Sequence, residues 1–210
     1  NNLLRDIARD ARLLSTLDTW DEQLARAGEV IVAHRRQYID RLSEEAQRNH
    51  AAISGGEALT IRYQSQFEEA PGIAEAFYNR LQAARSEDLR RMTTTVGAHR
   101  DDLRFEIGGR EARVFASQGQ QRTIVLALKL AEIAAIEKER GETPVLMLDD
   151  VMSELDRSRR EYLLGGLTGR QVFITACDDS LLWETSDAEV VAVQNGEFYP
   201  GGFPICEEEG

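Results

Sequence analysis

The most informative segment of the chain is Pro144-Val145-Leu146-Met147-Leu148-Asp149-Asp150-Val151-Met152-Ser153-Glu154-Leu155-Asp156. Its apolar residues lead directly into two carboxylates, which is typical of a buried strand whose C-terminal end delivers charge to a site. At such an end Asp149 can hold Mg²⁺ through its water shell, and Asp150 can orient or deprotonate an attacking water. A core strand followed by an acidic turn would read the same way, so this stretch alone leaves both interpretations open.

A second motif lies upstream and begins a helix. Ser117-Gln118-Gly119-Gln120-Gln121-Arg122 precedes a segment from Thr123 to Glu139 whose first half has almost no polar face. Such a segment predicts a centrally buried helix. Its start combines free backbone N–H groups and the positive end of the helix dipole with Ser and Gly, which suits an approaching anion. The simpler alternative is a serine N-cap with a neighbouring glycine.

The order of the motifs carries more information than either motif alone. A Ser-Gln-Gly-Gln-Gln helix start, an apolar strand ending in Asp-Asp, and Ser-Glu-Leu-Asp immediately afterwards follow the order of the signature motif, Walker B and D-loop of ABC-type ATPases. A phosphate-binding GxxxxGK[ST] loop is absent from the sequence. We expect that loop and its lysine upstream of Asn1, because the first residue is not Met and the chain therefore reads as a piece of a longer protein.

The first part of the chain predicts a helical module. Apolar spacing indicates one helix over residues 1–17 and a longer one from a cap at Asp21 to about Ala52. Ser54-Gly55-Gly56 ends it, a short strand follows at residues 59–63, and Pro71-Gly72 begins another helix that reaches about Met92. The face predicted to be buried on the long helix comprises Leu24, Ala27, Ile31, His34, Tyr38, Leu42 and Ala46, with His34 packed and hydrogen-bonded.

The second part of the chain alternates strands and helices. A β-hairpin is predicted over residues 103–116 with its turn at Gly108-Gly109, and after the acidic strand we expect a helix over 157–167. Strands follow at 171–175 and 189–193, and Asn195-Gly196 forms a hairpin turn. The predicted fold class is α/β with mixed α+β character, in two domains: residues 1–96, helical with a small strand insert, and residues 97–210.

Composition restricts the partners of the chain. Lys and Arg number 25 against 37 Asp and Glu, a net charge of −12, so the surface as a whole repels phosphate backbones. DNA binding would need a local patch, for which Arg35, Arg36 and Arg41 on the long helix are candidates, although a solvated helix face would carry the same residues. Cys177 and Cys206 lack a CxxC spacing, and no apolar run approaches a membrane span. We expect free thiols and a cytoplasmic protein without membrane contact.

The motifs resemble those of the RecF family of bacterial recombination mediators, which carry an ABC/SMC-type ATPase head. The resemblance rests on the runs 97–102, 117–122 and 148–156 and on the helix start Trp20-Asp21-Glu22-Gln23-Leu24, and it covers nearly the whole chain. It implies a helical lobe II followed by the C-terminal half of the head. Ala98 replaces the proline usual in the Gly-Pro-His-Arg-Asp-Asp run. No switch histidine follows Val172 to Cys177, where Thr175 is at best a weak substitute.

The resemblance also implies roles for individual residues. Asp149 would serve Mg²⁺, and Asp150 would stand where most ABC ATPases have a catalytic glutamate. The run Gly97 to Asp102 would form a phosphate or interface loop. The residues expected to contact the γ-phosphate of ATP bound to the other subunit are Ser117, Gln118, Gly119 and Gln120. The D-loop residues expected at the dimer interface are Ser153, Glu154, Leu155 and Asp156. The polar residues of the Gly97 to Asp102 loop are His99, Arg100 and Asp101.

Two functions are compatible with the sequence. The first, implied by the resemblance, is an ATP-dependent DNA-binding protein of recombinational repair and replication-fork recovery. It would dimerise on ATP, hydrolyse ATP weakly, bind double-stranded and gapped DNA, and act with RecR and RecO to promote recombinase loading. The alternative is a non-catalytic dimerisation or partner-binding module derived from an ABC-type head. Residues 1–210 alone are expected to be inactive, because the phosphate cradle would lie upstream.

Overall fold

The computed structural model of the chain describes residues 1–67, 72–177 and 188–201, and the chain forms two compact units, Asn1–Glu139 and Arg140–Gly210. The predicted boundary between a helical lobe and the head at residue 96 stays a prediction. By internal contacts the division falls at the end of a long helix instead. The reason is that the strand at Asp102–Ile107 pairs with a strand of the helical module and so belongs to the first unit.

The first unit begins with helices. Its elements are α1 (Asn2–Ile7), a 3₁₀ helix (Ala11–Thr16), α2 (Leu17–Ser54) and α3 (Ile73–Arg91). The long helix α2 begins four residues earlier than predicted, so Asp21 is an interior residue and not its cap. Gly55 ends α2 in the left-handed region with φ 76°, as glycine allows.

The buried face of α2 agrees with the predicted one at Leu42 and Ala46 and differs from it nearer the N-terminus. Leu24, Ile31 and Tyr38 are exposed by 40–44%, and His34 is exposed too. There the stripe one residue further along, with Ala25, Val32 and Ile39, packs inward. The buried histidine of α2 is His50, which is fully buried and contacts the carbonyl oxygen of Glu57 through Nδ1 at 3.1 Å. Both stripes have helical spacing, so periodicity alone could not choose between them. The buried residues of α2 are Leu17, Ala25, Gly28, Val32, Ile39, Leu42, Ser43, Ala46 and His50.

A charged link joins α2 to α3. Arg85 Nη2 on α3 lies 2.6 Å from Asp18 Oδ1 and 2.6 Å from Asp21 Oδ2, both on the first turns of α2. The Arg85 guanidinium holds the pKa of Asp18 below its usual value. At the other end of α3, buried Asp88 accepts hydrogen bonds from the backbone N and the hydroxyl of Thr95, at 2.9 and 2.6 Å. These bonds give polar groups of the segment after the helix a hydrogen-bond partner.

The crossing of α2 and α3 depends on Gly28. A Cβ at this position would lie 2.5 Å from Cε2 of Phe77, whose ring is 1% exposed and stacks on Phe67 with centroids 4.5 Å apart. The ring therefore has little room to move away. A side chain at position 28 would be overpacked, although alanine is otherwise the better helix former.

Gly28→Ala is accordingly expected to lower the free energy of unfolding by about 1–2 kcal/mol, the strain of overpacking less the gain in helix propensity. Denaturant titration measures this change. The control is Gly165→Ala, a helical glycine whose Cβ would meet nothing within 4 Å, and it should be neutral or stabilising. If both variants behave alike, the contact with Phe77 does not determine the packing. Adding Phe77→Leu should recover part of the loss.

A three-stranded antiparallel sheet lies beside these helices. It consists of β1 (Leu59–Gln64), β2 (Asp102–Ile107) and β3 (Arg110–Glu111), in the order β1-β2-β3. The turn at Gly108-Gly109 is as predicted, with φ 55° and 78°. The prediction of a long return strand was wrong. After two residues the chain forms a short helix, α4 (Ala112–Phe115), and Val114 is 65% exposed.

The helix α5 (Gln118–Arg140) closes the first unit. Its first half is apolar on nearly all sides, which predicted central burial. The structure buries one face only, because Val125 is 58% exposed while Ala127 and Ala131 are fully buried. The buried residues of α5 are Thr123, Ile124, Leu126, Ala127, Leu130 and Ala131.

The second unit contains the acidic strand. Its elements are β4 (Leu146–Asp149), a 3₁₀ turn (Met152–Glu154), α6 (Arg157–Leu167), β5 (Val172–Thr175), β6 (Val191–Gln194) and β7 (Glu197–Pro200). Strands β4 and β5 pair in parallel, and β6 and β7 form the predicted hairpin with Asn195 and Gly196 at φ 52° and 82°. Predicted burial of β4 and β5 was wrong: Met147 is 82% and Phe173 56% exposed, because the described sheet has two strands and residues alternate across its faces.

Three predictions concern membranes, cysteines and the helix start at Pro71. Among the described residues, no helix is long and apolar enough to cross a membrane. Cys177 is an exposed free thiol, whereas Cys206 lies outside the described residues. Pro71 lies outside them as well, and α3 has Gly72 as its N-cap residue.

Candidate nucleotide-binding site

The start of α5 is a reciprocal capping box. The backbone N of Gln120 donates to the Ser117 hydroxyl at 3.2 Å, and the side-chain Oε1 of Gln120 accepts from the backbone N of Ser117 at 3.0 Å. Ser117 and Gln118 are exposed, and Gly119 is half-buried. The cap uses the hydroxyl oxygen as an acceptor, so its proton remains available for an anionic oxygen. Capping and phosphate binding are therefore compatible at this serine.

A contact outside the motif fixes the amide of Gln120. Its Nε2 donates to Glu57 Oε1 at 2.9 Å, so the oxygen of the amide is turned towards Ser117. Glu57 lies in the turn between α2 and β1, 63 positions away in sequence. Sequence reasoning missed this residue, because a single glutamate in a turn carries no local signal of a distant partner.

The acidic end of β4 is organised by Thr175. Asp149 and Thr175 are register partners in the parallel pair, and the hydroxyl of Thr175 donates to Asp149 Oδ1 at 2.5 Å. The backbone N of Asp150 lies 3.1 Å from the same hydroxyl oxygen and 3.2 Å from the carbonyl oxygen of Thr175. Asp150 has φ 51°, in the left-handed region. The chain thus turns sharply between the two carboxylates, both of which lie in exposed residues.

Asp149 has the donor chemistry that Mg²⁺ requires. One of its carboxylate oxygens accepts from Thr175, and in the described part of the chain the other makes no hydrogen bond. Mg²⁺ prefers oxygen ligands and is commonly bound by one or two carboxylates together with substrate phosphates. The described residues contain no cluster of three or more His, Cys, Asp or Glu that could hold a metal ion. Asp149 therefore suits a Mg²⁺ ion whose other ligands come from the phosphates of a nucleotide and from water.

The residues predicted to form the D-loop, Ser153 to Asp156, have mixed environments. The Ser153 hydroxyl donates to the carbonyl oxygen of Asp150 at 2.9 Å, and this ties the 3₁₀ turn to the carboxylate end. Asp156 caps α6 by accepting from the backbone N of Arg159 at 3.0 Å. Ser153 is exposed, but Leu155 is 8% exposed. Leu155 therefore offers little surface to a partner as it stands, whereas Ser153 offers a polar one. Glu154 lies in the turn.

The run from Gly97 to Asp102 is built on a glycine that no other residue can replace without strain. Gly97 has φ 150°, and a Cβ there would lie 2.8 Å from Nδ1 of His99. His99 Nε2 lies 3.2 Å from the carbonyl oxygen of Thr94, and since a carbonyl only accepts, that nitrogen carries the proton. His99 and Arg100 are exposed. They are the members of this loop that can meet a phosphate or a partner surface.

Asp101, in contrast, is an internal anchor. Its side chain is fully buried, it accepts a short hydrogen bond from the hydroxyl of Tyr63, and Arg35 Nη1 lies 4.0 Å from Oδ2. Burial and the bond to Asp101 raise the pKa of Tyr63 to about 12. A raised pKa means that this contribution to stability is complete below pH about 10 and is lost as the pH rises through about 12. A phosphate could not reach this carboxylate without opening the loop.

The three arginines proposed for DNA have different environments on α2. Arg35 Nη1 donates to the carbonyl oxygen of Ala98 at 2.5 Å, so this side chain holds the loop against the helix even though it is 48% exposed. Arg36 is half-buried and Arg41 is exposed. Arg41 is therefore the clearest remaining candidate for contact with a phosphate backbone.

The chain is similar in sequence to several curated proteins. No protein-family model matches the chain. The DNA replication and repair protein RecF of Agathobacter rectalis is 46% identical over 177 residues, 83% of this chain and 47% of that protein. The RecF proteins of Acetivibrio thermocellus and Gloeobacter violaceus are 40% and 42% identical, over 95% and 93% of this chain and 56% and 55% of those proteins.

Two solved structures of the recombination mediator protein RecF in the RecFOR pathway have the same fold. The one described as RecF-ATPrS is 36% identical with a TM-score of 0.83, and the one with ATP is 38% identical with a TM-score of 0.80. Each match covers 95% of this chain and 54% of the solved chain.

The chain has the mixed helix and strand fold of the solved RecF structures over about half of their length, and the order of its motifs resembles that of ABC-type ATPases. The chain spans about half the length of the curated relatives that it matches. Over the part that it covers, it belongs to the RecF family.

Proposed function

We propose that the protein containing this chain is an ATP-dependent DNA-binding protein of recombinational repair and replication-fork recovery, with a weak ABC-type ATPase. The observation that carries the proposal is the end of β4, where Asp149 is the last residue of a parallel strand and Asp150 follows it in the left-handed region. Consecutive carboxylates with different orientations suit two different tasks. The RecF structures with ATP support the choice of nucleotide.

The roles of the residues follow from their positions. Mg²⁺, held through Asp149, would neutralise charge on the phosphates of ATP. Asp150 would orient the attacking water and accept its proton. The hydroxyl of Ser117 would donate a hydrogen bond to the γ-phosphate of ATP held by the other subunit, while its oxygen continues to accept the hydrogen bond of the helix cap. ATP would thereby join two copies of the protein.

DNA binding would follow dimer closure. The chain carries a net charge of −12, so a phosphate backbone is attracted only where basic side chains meet locally. Closure would bring two copies of α2 to one DNA, with Arg41 as the candidate contact. The proposed DNA is double-stranded or gapped, and the proposed protein partners are RecR and RecO, since the solved relatives belong to the RecFOR pathway.

The complete protein should bind gapped duplex DNA only with ATP present, and more weakly as salt rises. Fluorescence anisotropy should show at least about a tenfold loss of affinity between 50 and 200 mM salt. Arg41→Gln should make the dependence of log affinity on log salt less steep by about two units, about one for each copy of Arg41 in the closed dimer.

The matched control is Arg26→Gln. Arg26 lies on the same helix but already pairs with Glu22 at 2.7 Å, so its loss should leave the salt slope unchanged. Binding without ATP, or binding that ignores salt, would contradict this function. Absence of ATP binding by the complete protein would favour the non-catalytic module instead.

A further inference from the structure

Thr175 occupies the position after which many ABC proteins carry a switch histidine, and its contacts show a different use. It ends β5 directly opposite Asp149, with both residues on one face of the parallel pair. Its hydroxyl has one proton, which goes to Asp149 Oδ1 at 2.5 Å. The hydroxyl oxygen faces the backbone N of Asp150 at 3.1 Å.

With these two contacts, the hydroxyl has no second hydrogen bond to donate. A threonine hydroxyl has a single donor and two acceptor positions, so a proton committed to Asp149 cannot also reach a phosphate oxygen. The backbone N of Asp150 supplies a donor to that hydroxyl and so fixes the direction of its proton. Because the hydroxyl donates its hydrogen bond to one oxygen of Asp149, it orients that carboxylate and leaves the second oxygen to face the metal's water shell.

The same hydroxyl also supports the turn at Asp150. The backbone N of Asp150 is held between the hydroxyl and the carbonyl oxygen of Thr175, at 3.1 and 3.2 Å. A non-glycine residue with φ 51° needs such support from its surroundings. One side chain therefore sets the direction of the first carboxylate and the backbone conformation of the second.

We propose that Thr175 is a positioning residue for the Asp149–Asp150 pair, acting on the metal side of the site and not as a sensor of the γ-phosphate. The proposal rests on the proposed function. It predicts that the hydroxyl matters for metal affinity and for the Asp150 turn, while the binding of nucleotide without metal does not depend on it.

The decisive variants are Thr175→Val and Thr175→Ser in the complete protein. Valine keeps the β-branched shape that suits the strand but removes the hydroxyl, and serine keeps the hydroxyl. The Mg²⁺ concentration for half-maximal tight ATP binding should rise about 10- to 100-fold in Thr175→Val, as for loss of other groups that orient metal ligands. ATP affinity in EDTA should be unchanged, and Thr175→Ser should restore the Mg²⁺ dependence.

A sensor of the γ-phosphate would give the opposite pattern. Thr175→Val would then weaken ATP binding in EDTA and leave the Mg²⁺ requirement unchanged, and Thr175→His would preserve hydrolysis. Either result overturns the positioning role.

Hydrogen exchange of the Asp150 amide provides a readout that needs no nucleotide. Exchange should accelerate in Thr175→Val and return to the native rate in Thr175→Ser, because the amide loses and regains one acceptor. This measurement separates the two proposals: if the protein fails to bind ATP, the proposed function fails, while the exchange still decides whether Thr175 holds the turn. Unchanged exchange in Thr175→Val would contradict the positioning role.

Discussion

Asp150→Asn should leave ATP binding and dimer closure intact and slow hydrolysis by about 10²- to 10⁴-fold, the usual contribution of general-base assistance. Asparagine has the shape of aspartate but cannot accept a proton from water. It is also among the few residues that tolerate the left-handed region, so the turn with φ 51° should persist. The hydroxyl of Ser153 binds the backbone oxygen of Asp150 and is unaffected by the change.

Steady-state phosphate release and ATP-dependent sedimentation together measure the outcome. The contrasting variant is Asp149→Asn, which should weaken closure as well as hydrolysis because the metal loses its carboxylate. A normal hydrolysis rate in Asp150→Asn would show that Asp150 is not the base. His99 would then be the next candidate, although its protonated Nε2 faces the carbonyl oxygen of Thr94 and the ring would have to leave this contact first.

Ser117→Arg should abolish ATP-dependent dimerisation while a single subunit still binds ATP. Arginine adds bulk where the second subunit closes, and it removes the hydroxyl that would meet the γ-phosphate. It also removes the helix cap, which costs about 1 kcal/mol of stability. That loss alone should not prevent dimerisation, so two further variants separate the effects.

Ser117→Asp keeps a good N-cap but brings a negative charge towards the phosphate, so it should abolish dimerisation without loss of stability. Ser117→Ala loses the cap and the hydroxyl without adding bulk, so it should destabilise the fold mildly and weaken dimerisation less than arginine does. Analytical ultracentrifugation with and without ATP distinguishes them. If Ser117→Arg and Ser117→Asp dimerise normally, the start of α5 is a cap and nothing more.

Local patterns predicted the parts of the site that depend on neighbours in sequence. The acidic end of β4, the helix start at Ser117 and the turn at Asn195-Gly196 are each specified within a few residues, and the structure has all three. The two interpretations of the start of α5 also proved compatible, since the serine oxygen caps the helix while its proton stays free.

The parts that failed depend on distant partners. The N-terminal part of α2 has two apolar stripes, and only packing shows that Val32 is buried and Ile31 is not, whereas Leu42 and Ala46 further along are buried as predicted. Likewise, the hairpin return beyond Glu111 had alternating residues, yet its backbone forms a short helix. Asp101 resembled a ligand-binding residue in sequence, and its partner Tyr63 lies 38 positions away.

The amide of Gln120 is held on both sides, and this limits which residues positions 57 and 120 can carry together. Glutamate is the other residue that completes a capping box, but at position 120 it would place a carboxylate about where the amide nitrogen now lies 2.9 Å from Glu57. Two carboxylates at that distance repel each other. These positions should therefore covary among relatives: an acidic residue at 57 requires glutamine at 120, whereas a neutral or basic residue at 57 permits glutamate.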